Sequence, residues 1–445
     1  MVRKILRFHT SRTLTARIVP LKFIVALALA IPTYGISIVV LIVYLILQTG
    51  RFKRNFEKSV ALLAEEQHFQ GTAIRGISYT QVIAYASERG ELIEQIGTNV
   101  RFLLNLNGHI YSVSASPEPG STDAILHARD VSWLNDLSAW LRAHGFADDY
   151  RSYSEVYKIE EFICNACNLD YGYEQPEKDV SRIPAQLCFL PNLNSLCFSV
   201  NNLIEIPPEI GQLSRLRRLY LDCNSLRSIP PQIGNLACLE VLHVNDNQLT
   251  HVPNEVGETS NLSSLNLARN KLKCLPKEIG NLASLKYLHL ESNELTALPD
   301  SFIGLKKVLY MHLQDNKLRR LPDRLGESGS IMQLYLHDNL LEEVPEQLAN
   351  IKSFFELTLH GNPLKSLPSK VVDLQVHTLL TIGHQPGLKL TSGQKEWLLG
   401  LESKGCKVWV EADGLHLGEA SYWKGNINLN SSEVAHDSNL EEVLL

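Results

Sequence analysis

The stretch LKYLHLESNEL spans residues 285–295, and close copies of it recur along the chain as LRRLYLDCNSL, VLYMHLQDNKL and IMQLYLHDNLL. The copies share apolar residues and one asparagine at a fixed spacing, whereas Tyr287, His289 and Glu291 occupy the positions between them. Side chains alternate between the two faces of a β-strand, so Leu288 and Leu290 are expected on a buried face and the three variable residues on the opposite face.

The asparagine recurs every 23 residues through eight repeats, and prolines keep the same period from Pro184 to Pro368. The repeated asparagines are Asn201, Asn224, Asn247, Asn270, Asn293, Asn316, Asn339 and Asn362. An asparagine side chain has donors and acceptors that can satisfy turn backbone in its own and the neighbouring repeat, so these residues are expected to form a buried ladder. The prolines are expected to fix an extended return segment after each strand.

The pattern L-x-x-L-x-L-x-x-N-x-L-x-x-L-P, with its 23-residue LPxxIGxL-type period, resembles that of leucine-rich repeat proteins. It is similar to the Ras-group intracellular leucine-rich repeat proteins and their bacterial counterparts, over about 190 residues. The resemblance implies an α/β solenoid, a leucine-rich repeat horseshoe with short parallel strands on its concave face, which binds proteins and carries no catalytic site. The cysteine-rich caps that flank many extracellular members are missing from this sequence.

The sequence predicts seven segments around this array. They are a basic tail (1–22), a transmembrane anchor (23–50), a mixed helix and hairpin juxtamembrane region (51–150), an N-terminal cap with a partial repeat (151–184), eight repeats (185–374), a C-terminal cap (375–412) and an acidic, disordered tail (413–445).

Residues 23–50 carry no charge over 28 positions. As a helix they would be about 42 Å long, against a bilayer core of about 30 Å, which predicts a membrane span. A cleaved signal peptide would have a shorter apolar region. A single pass is expected, although the turn-like PTYG at residues 32–35 leaves open a shallow hairpin in one leaflet.

Charge is divided unevenly along the chain. Residues 1–58 carry a net charge of +9, and since the whole chain carries −6, the remaining residues carry −15. The acidic part of the chain after residue 58 would be repelled by phosphate groups, which argues against nucleic acid as a partner. The basic flanks favour a cytosolic N-terminus and a translocated body. The eight cysteines show no pattern of disulfide pairing and favour a reducing compartment. The side of the membrane on which the repeats lie therefore stays open, with a slight preference for the cytosol.

Several elements are predicted before the repeats. Residues 52–69 and 80–97 have helical apolar spacing, Asn107-Gly108 favours a two-residue hairpin turn, and DVSWLNDLSAWLRAHG predicts a helix that ends near Gly145. A further helix is expected over residues 152–167, opened by a capping box of Ser152 and Glu155 and placed to cover the end of the array.

The last of these helices would contain Cys164 and Cys167 in C-x-x-C spacing. No second pair at suitable spacing follows for a zinc site, and no βαβ unit suggests a redox motif. The two residues are therefore interpreted as ordinary helix cysteines.

The candidate partner-binding residues lie on the polar face of the strands. They are Tyr220, His243, Tyr287, His289, Glu291, Tyr310, His312, Tyr335, His337 and His360. Tyrosine is a common hot-spot residue, but it also suits any strand surface. Imidazoles on adjacent strands come close whether or not an ion is bound, so neither a metal nor another cofactor is predicted.

No P-loop, dinucleotide fingerprint, nucleophile elbow or zincin motif is present, and no enzyme activity is expected. The sequence favours a membrane-tethered, non-catalytic interaction protein that binds a protein partner through its repeats. The alternative is a receptor or sensor, in which the juxtamembrane region detects a signal and the repeats relay it or bind a ligand.

Overall fold

The computed structural model describes residues 53, 57, 72–78, 81–82, 84–85, 90–96, 99–106, 109–117, 123–146, 152–164, 180–327, 331–351 and 353–418. The chain divides into two compact units, Met1–Lys158 and Ile159–Leu445. No helix within the described ranges is long and apolar enough to cross a membrane. The predicted anchor, residues 23–50, lies outside those ranges.

The first unit contains a five-stranded antiparallel sheet in the order β1-β5-β4-β3-β2. The strands are β1 (Thr72–Ser78), β2 (Glu91–Ile96), β3 (Asn99–Leu106), β4 (His109–Pro117) and β5 (Asp123–Asp130). Strands β3 and β4 pair up to Leu106 opposite His109, which confirms the hairpin. The two predicted turn residues themselves lie outside the described residues.

The helix predicted over residues 80–97 is wrong in its second half, because Glu91–Ile96 is strand β2 and pairs with β3. Its sequence, ELIEQI, fits either helical or strand spacing, and pairing with the neighbouring strand decides between them. The helix predicted over residues 52–69 falls almost entirely outside the described residues, within which Lys53 and Glu57 are helical.

Two helices follow the sheet in the first unit. Helix α1 (Trp133–Ala143) is followed by Gly145 at φ 77°, which confirms the predicted glycine stop. Helix α2 (Tyr153–Tyr157) begins with the predicted capping box of Ser152 and Glu155. It is only five residues long and Glu161–Ile163 is a strand, so the helix predicted over residues 152–167 is wrong over its described part beyond Lys158.

The second unit begins with strand β6 (Glu161–Ile163), which pairs in parallel with the first repeat strand. A strand therefore lies where a capping helix was predicted, because pairing satisfies the backbone edge that the first repeat would otherwise expose. Cys164 directly follows this strand and is buried, whereas Cys167 lies outside the described residues.

Strands β6 to β17 form a twelve-stranded sheet that is parallel from β6 to β16, and β17 pairs antiparallel with β16. The repeat strands are β7 (Ser195–Cys197), β8 (Arg218–Tyr220), β9 (Val241–His243), β10 (Ser264–Asn266), β11 (Tyr287–His289), β12 (Tyr310–His312), β13 (Gln333–Tyr335) and β14 (Ser353–Thr358). Strand β15 (Gln375–His384) follows them.

Short 3₁₀ turns form the return side of each repeat and follow the periodic prolines. Their bounds are Ala185–Phe189, Pro208–Gln212, Pro231–Asn235, Asn254–Glu258, Lys277–Asn281, Asp300–Gly304, Leu325–Glu327, Glu346–Asn350 and Ser369–Asp373. Pro299 has φ −64° and ψ 142°, the extended backbone expected of it. A Cβ added to Gly280 would lie 2.1 Å from the carbonyl oxygen of Ser301, so successive turns pack backbone to backbone.

The asparagine ladder is present throughout the array. The Nδ2 of Asn293 donates to the carbonyl oxygens of Leu267 at 3.0 Å, Leu290 at 3.0 Å and Glu291 at 3.3 Å. Its Oδ1 accepts from the backbone N–H of Leu272 at 3.1 Å. Leu267 and Leu272 belong to the preceding repeat, so each rung joins two repeats.

The residue before each ladder asparagine has a left-handed backbone conformation, as in Ser292 at φ 54°. Only the last of these positions is a glycine, Gly361. Left-handed conformations are costly for other residues, and for β-branched Val200 at φ 55° in particular. The ladder bonds hold these residues in place.

Both ends of the ladder differ from its middle. At the start, Asn201 Nδ2 donates to Cys164 O at 2.6 Å, so the residue after β6 replaces a preceding repeat. At the end, Gln385 stands 23 residues after Asn362 and its Nε2 donates to Asn362 O at 2.7 Å. The ladder therefore finishes with a glutamine that the asparagine pattern did not reveal.

The segment predicted as a C-terminal cap, residues 375–412, contains helix α3 (Ser392–Ser403) and strand β16 (Lys407–Ala412). Trp397 Nε1 donates to Leu374 O at 2.9 Å and ties α3 to the last repeat. Strand β17 (Leu415–Leu417) continues past the predicted boundary at residue 412, because it pairs with β16. The predicted disordered tail beyond residue 418 lies outside the described residues.

We expect Asn293→Leu to lower the free energy of unfolding by more than about 2 kcal/mol, because it leaves buried carbonyls and one N–H without partners. Urea unfolding followed by circular dichroism measures the change. The same substitution at exposed Asn281 is the control, with an expected effect within about 0.5 kcal/mol. Equal effects at the two positions would contradict a structural role for the ladder.

Candidate functional site

The polar strand face is the set of strand side chains that point away from the leucine core. Leu288 and Leu290 are fully buried, whereas Tyr287 on the opposite face is 37% exposed. The parallel register aligns equivalent residues into columns across the sheet. The first column contains Tyr287 and Tyr310, the second His289, His312 and Tyr335, and the third Glu291, His337 and His360.

Exposed aromatic rings lie along the first column. Tyr287 and Tyr310 stack with their centroids 5.0 Å apart and their planes 7° from parallel. Phe355, which immediately precedes the first-column residue of β14, is 47% exposed and lies 5.9 Å from the ring of His377. We call Tyr287, Tyr310 and Phe355 the aromatic edge. Phe355 is not among the predicted residues, because it stands outside the repeated strand positions on which that prediction depends.

The second column is a continuous row of rings. His289 meets His312 edge to face at 4.5 Å, and His312 stacks on Tyr335 at 4.5 Å. The Tyr335 hydroxyl donates to the Glu356 carboxylate. Burial and the Glu356 charge both raise the pKa of Tyr335, so it remains a hydroxyl at neutral pH.

The third column ends in two buried histidines. His337 and His360 are 5% and 6% exposed and stack at 4.6 Å. The His337 Nδ1 lies 2.8 Å from Thr358 Oγ1, and the His360 Nδ1 lies 2.7 Å from Thr381 Oγ1. Because they are buried, these two side chains offer a partner little surface. That they contact a partner remains a prediction.

The pKa values of these two histidines follow from their surroundings. Burial, and then the neighbouring His360 and His312, lower the pKa of His337 to about 3. Burial alone lowers the pKa of His360 to about 4. The ring of Trp409 covers His360 at 5.2 Å. This tryptophan follows α3 and is out of step with the 23-residue period, so its place beside the histidines was not predicted.

Tyr220 and His243 form a separate pair on β8 and β9. Their rings meet edge to face at 5.3 Å, and His243 Nε2 lies 3.0 Å from Ser264 Oγ. Burial, and then His289, lower the pKa of His243 to about 4. Asn266 lies between His243 and His289 in the second column. The ten predicted residues thus fall into a small group on β8 and β9 and a larger one from β11 onwards.

His289, Glu291 and His312 form the most polar cluster of the face. His289 Nδ1 lies 3.7 Å from Glu291 Oε1, and one ligand-type atom from each residue lies within 4.8 Å of the others. Burial opposes ionisation of Glu291, but the two histidines outweigh it and lower the pKa of the carboxyl. Burial, and then His289, lower the pKa of His312 to about 3. A second such group contains His337, Asp338 and His360.

Family models identify leucine-rich repeats in the middle of the chain. A leucine-rich repeat model matches residues 237–295 and 260–318, and a second one matches residues 215–236. These residues include strands β8 to β12. Nothing among curated proteins matches the chain.

Several solved leucine-rich repeat structures are similar to it. A Leptospira interrogans leucine-rich repeat protein is 24% identical, with 52% of this chain and 76% of that chain covered and a TM-score of 0.36. The repeat domain of the type III effector XopL is 23% identical, with 54% and 86% covered and a TM-score of 0.43. The plant peptide hormone receptor RGFR1, in complex with RGF2, is 26% identical, with 52% and 42% covered and a TM-score of 0.40. The chain thus spans less than half of that receptor's length.

Stability is expected to fall as the pH drops from about 6.5 to 4, with His360 contributing. Its folded pKa of about 4 lies below the ordinary 6.5, so the unfolded chain binds more protons in this window. We expect His360→Gln to make the free energy of unfolding less steeply dependent on pH, by up to about 1.4 kcal/mol per unit.

Urea unfolding at pH 7, 6, 5 and 4 measures this dependence. The matched control is His377→Gln, at an exposed position of β15. A His360→Gln protein with the wild-type pH dependence would show that protonation of His360 does not contribute.

Proposed function

We propose that this chain is a membrane-tethered, non-catalytic protein that binds a protein partner on the polar strand face between β11 and β14. The observation that most supports this is the aromatic edge, in which Tyr287 and Tyr310 stack on adjacent strands and Phe355 is exposed two strands farther along the sheet. Tyrosine rings often dominate binding energy at protein interfaces. Rings already fixed by stacking lose little freedom when a partner docks.

The half-buried rings of the second column lie beside the aromatic edge and hold one another in place. His312 is held between His289 and Tyr335, and Tyr335 is fixed by its hydrogen bond to Glu356. A partner that covers the aromatic edge would therefore meet a surface that needs little rearrangement. The binding role assigned to the imidazoles becomes a supporting one, with direct contact concentrated on the tyrosines and Phe355.

Two buried thiols are unsuited to nucleophilic catalysis. Burial, and then the charge of Glu209, raise the pKa of Cys188 to about 12, and burial raises that of Cys406 to about 11. Thiols of this kind are poor nucleophiles at neutral pH, because the thiolate is the reactive form.

The membrane tether is proposed from the uncharged residues 23–50 and their basic flanks. We place the protein in a membrane by a single pass. The eight cysteines without a pattern of disulfide pairing favour repeats on the cytosolic side, against the weaker preference of the basic flanks for a translocated body. Tethering raises the effective concentration of a binding surface for partners on the same membrane.

A receptor or sensor is the second candidate. It is favoured by the first unit, which has its own five-stranded sheet and its own buried residues, such as Phe102 and Val113. A separate folded unit beside the proposed anchor could detect a signal that the repeats relay.

The double variant Tyr287→Ala/Tyr310→Ala should lose its protein partner, with affinity reduced at least tenfold, because two stacked hot-spot rings are removed. Affinity purification from membranes of the source cells, with quantitative mass spectrometry, measures recovery. The control is Lys273→Ala/Arg320→Ala, at exposed positions outside the strands. Equal partner recovery by both double variants would refute binding at the aromatic edge.

The full chain should remain in the membrane pellet after alkaline carbonate extraction, and a chain without residues 23–50 should be released. Apolar burial of a segment this long makes insertion effectively irreversible. Immunoblotting of pellet and supernatant reads the outcome. Release of the full chain into the supernatant would exclude the proposed tether.

A further inference from the structure

Three polar atoms, one on β12 and two on residues that follow β11 and β12, are buried without a partner. They are Glu291 Oε2, His312 Nε2 and Gln314 Oε1, and none has a hydrogen-bond partner among the residues that the structure describes. A buried polar atom without a partner costs free energy, and a buried carboxylate oxygen costs more than a neutral group. Such atoms on adjacent strands call for a missing ligand.

The geometry of the cluster matches a small cation. His289 and Glu291 are two residues apart on one strand face, and His312 lies directly across from His289 in the parallel register. Their ligand atoms lie within 4.8 Å of one another, and His289 Nδ1 is 3.7 Å from Glu291 Oε1. Two ligands about 2.1 Å from a tetrahedral ion are about 3.4 Å apart. The His289–Glu291 pair at 3.7 Å is already close to that spacing, and side-chain movements of no more than about 1.4 Å would bring all three ligand atoms to it.

The donor set determines the class of ion. Two imidazole nitrogens and one carboxylate oxygen suit a first-row transition ion, whereas magnesium and calcium prefer oxygen ligands alone. We infer that His289, Glu291 and His312 bind a divalent transition-metal ion of the zinc type on the polar strand face. Three protein ligands leave the fourth position to water or to a donor atom of a bound partner.

The second histidine group is a weaker candidate. In it, the Nδ1 atoms of His337 and His360 already have threonine hydroxyl partners, and Asp338 is exposed. The inferred site therefore uses the first cluster alone. It goes beyond the proposed function and is independent of it, because binding of an ion can be measured without any protein partner.

Zinc titration of the full chain in detergent micelles, after removal of bound metal with a chelator, tests the site by isothermal calorimetry. We expect one zinc ion per chain with a dissociation constant of about 1 μM or lower, and at least tenfold weaker binding by Glu291→Gln and by His312→Gln. His337→Gln, which leaves the three ligands intact, should keep the wild-type affinity. Circular dichroism with chelator present should show that every variant is folded.

Cobalt(II) gives an independent readout, because exposed Cys223 and Cys274 could also bind metal. A nitrogen and oxygen site gives visible d–d absorption bands without the intense near-ultraviolet band of a thiolate ligand. The inference is overturned if the wild type binds no zinc, if the two ligand variants bind as tightly as wild type, if His337→Gln abolishes binding, or if the cobalt spectrum shows thiolate ligation.

Discussion

The rest of the second unit depends on the hydrogen bonds of the asparagine ladder. From Asn224 to Asn362, each side-chain amide donates to carbonyls of its own repeat and of the preceding one, and accepts from a backbone N–H of the preceding one, as Asn293 does. These bonds satisfy the turn that leaves each strand and hold Ser292 and its equivalents in a left-handed conformation. Because the rungs fix the turns, they also fix the strand register and the 23-residue period.

The register in turn creates the chemistry of the polar strand face. Residues 23 positions apart become neighbours one strand spacing apart, so His289 meets His312 and His337 meets His360. The leucine core behind and the rings on either side then exclude water, and this burial keeps His312, His337 and His360 neutral at physiological pH. The same ordering brings the Glu291 carboxylate beside two imidazoles.

Features that repeat in the sequence were predictable, and features set by distant pairing were not. The alternation of Leu288 and Leu290 with Tyr287 and His289 appears in the structure as expected, as do α1 and the C-terminal cap. Strand β2 and the five-stranded sheet depend on partners that local spacing does not identify. The burial of His360 depends on Trp409, which arrives from beyond α3 and outside the repeat period.

The ladder has a direction, because the side chain of each asparagine bonds to the repeat before it. None of these side-chain bonds involves the repeat after it. Its start at Asn201 and its finish at Gln385 are specialised, whereas the rungs between are interchangeable. An array of this kind can lengthen by duplication of a 23-residue unit anywhere in its interior, since the new copy offers the contacts that its neighbours already use. Evolution could thereby move the aromatic edge farther from β6 in discrete steps of one strand spacing while both ends of the array stay unchanged.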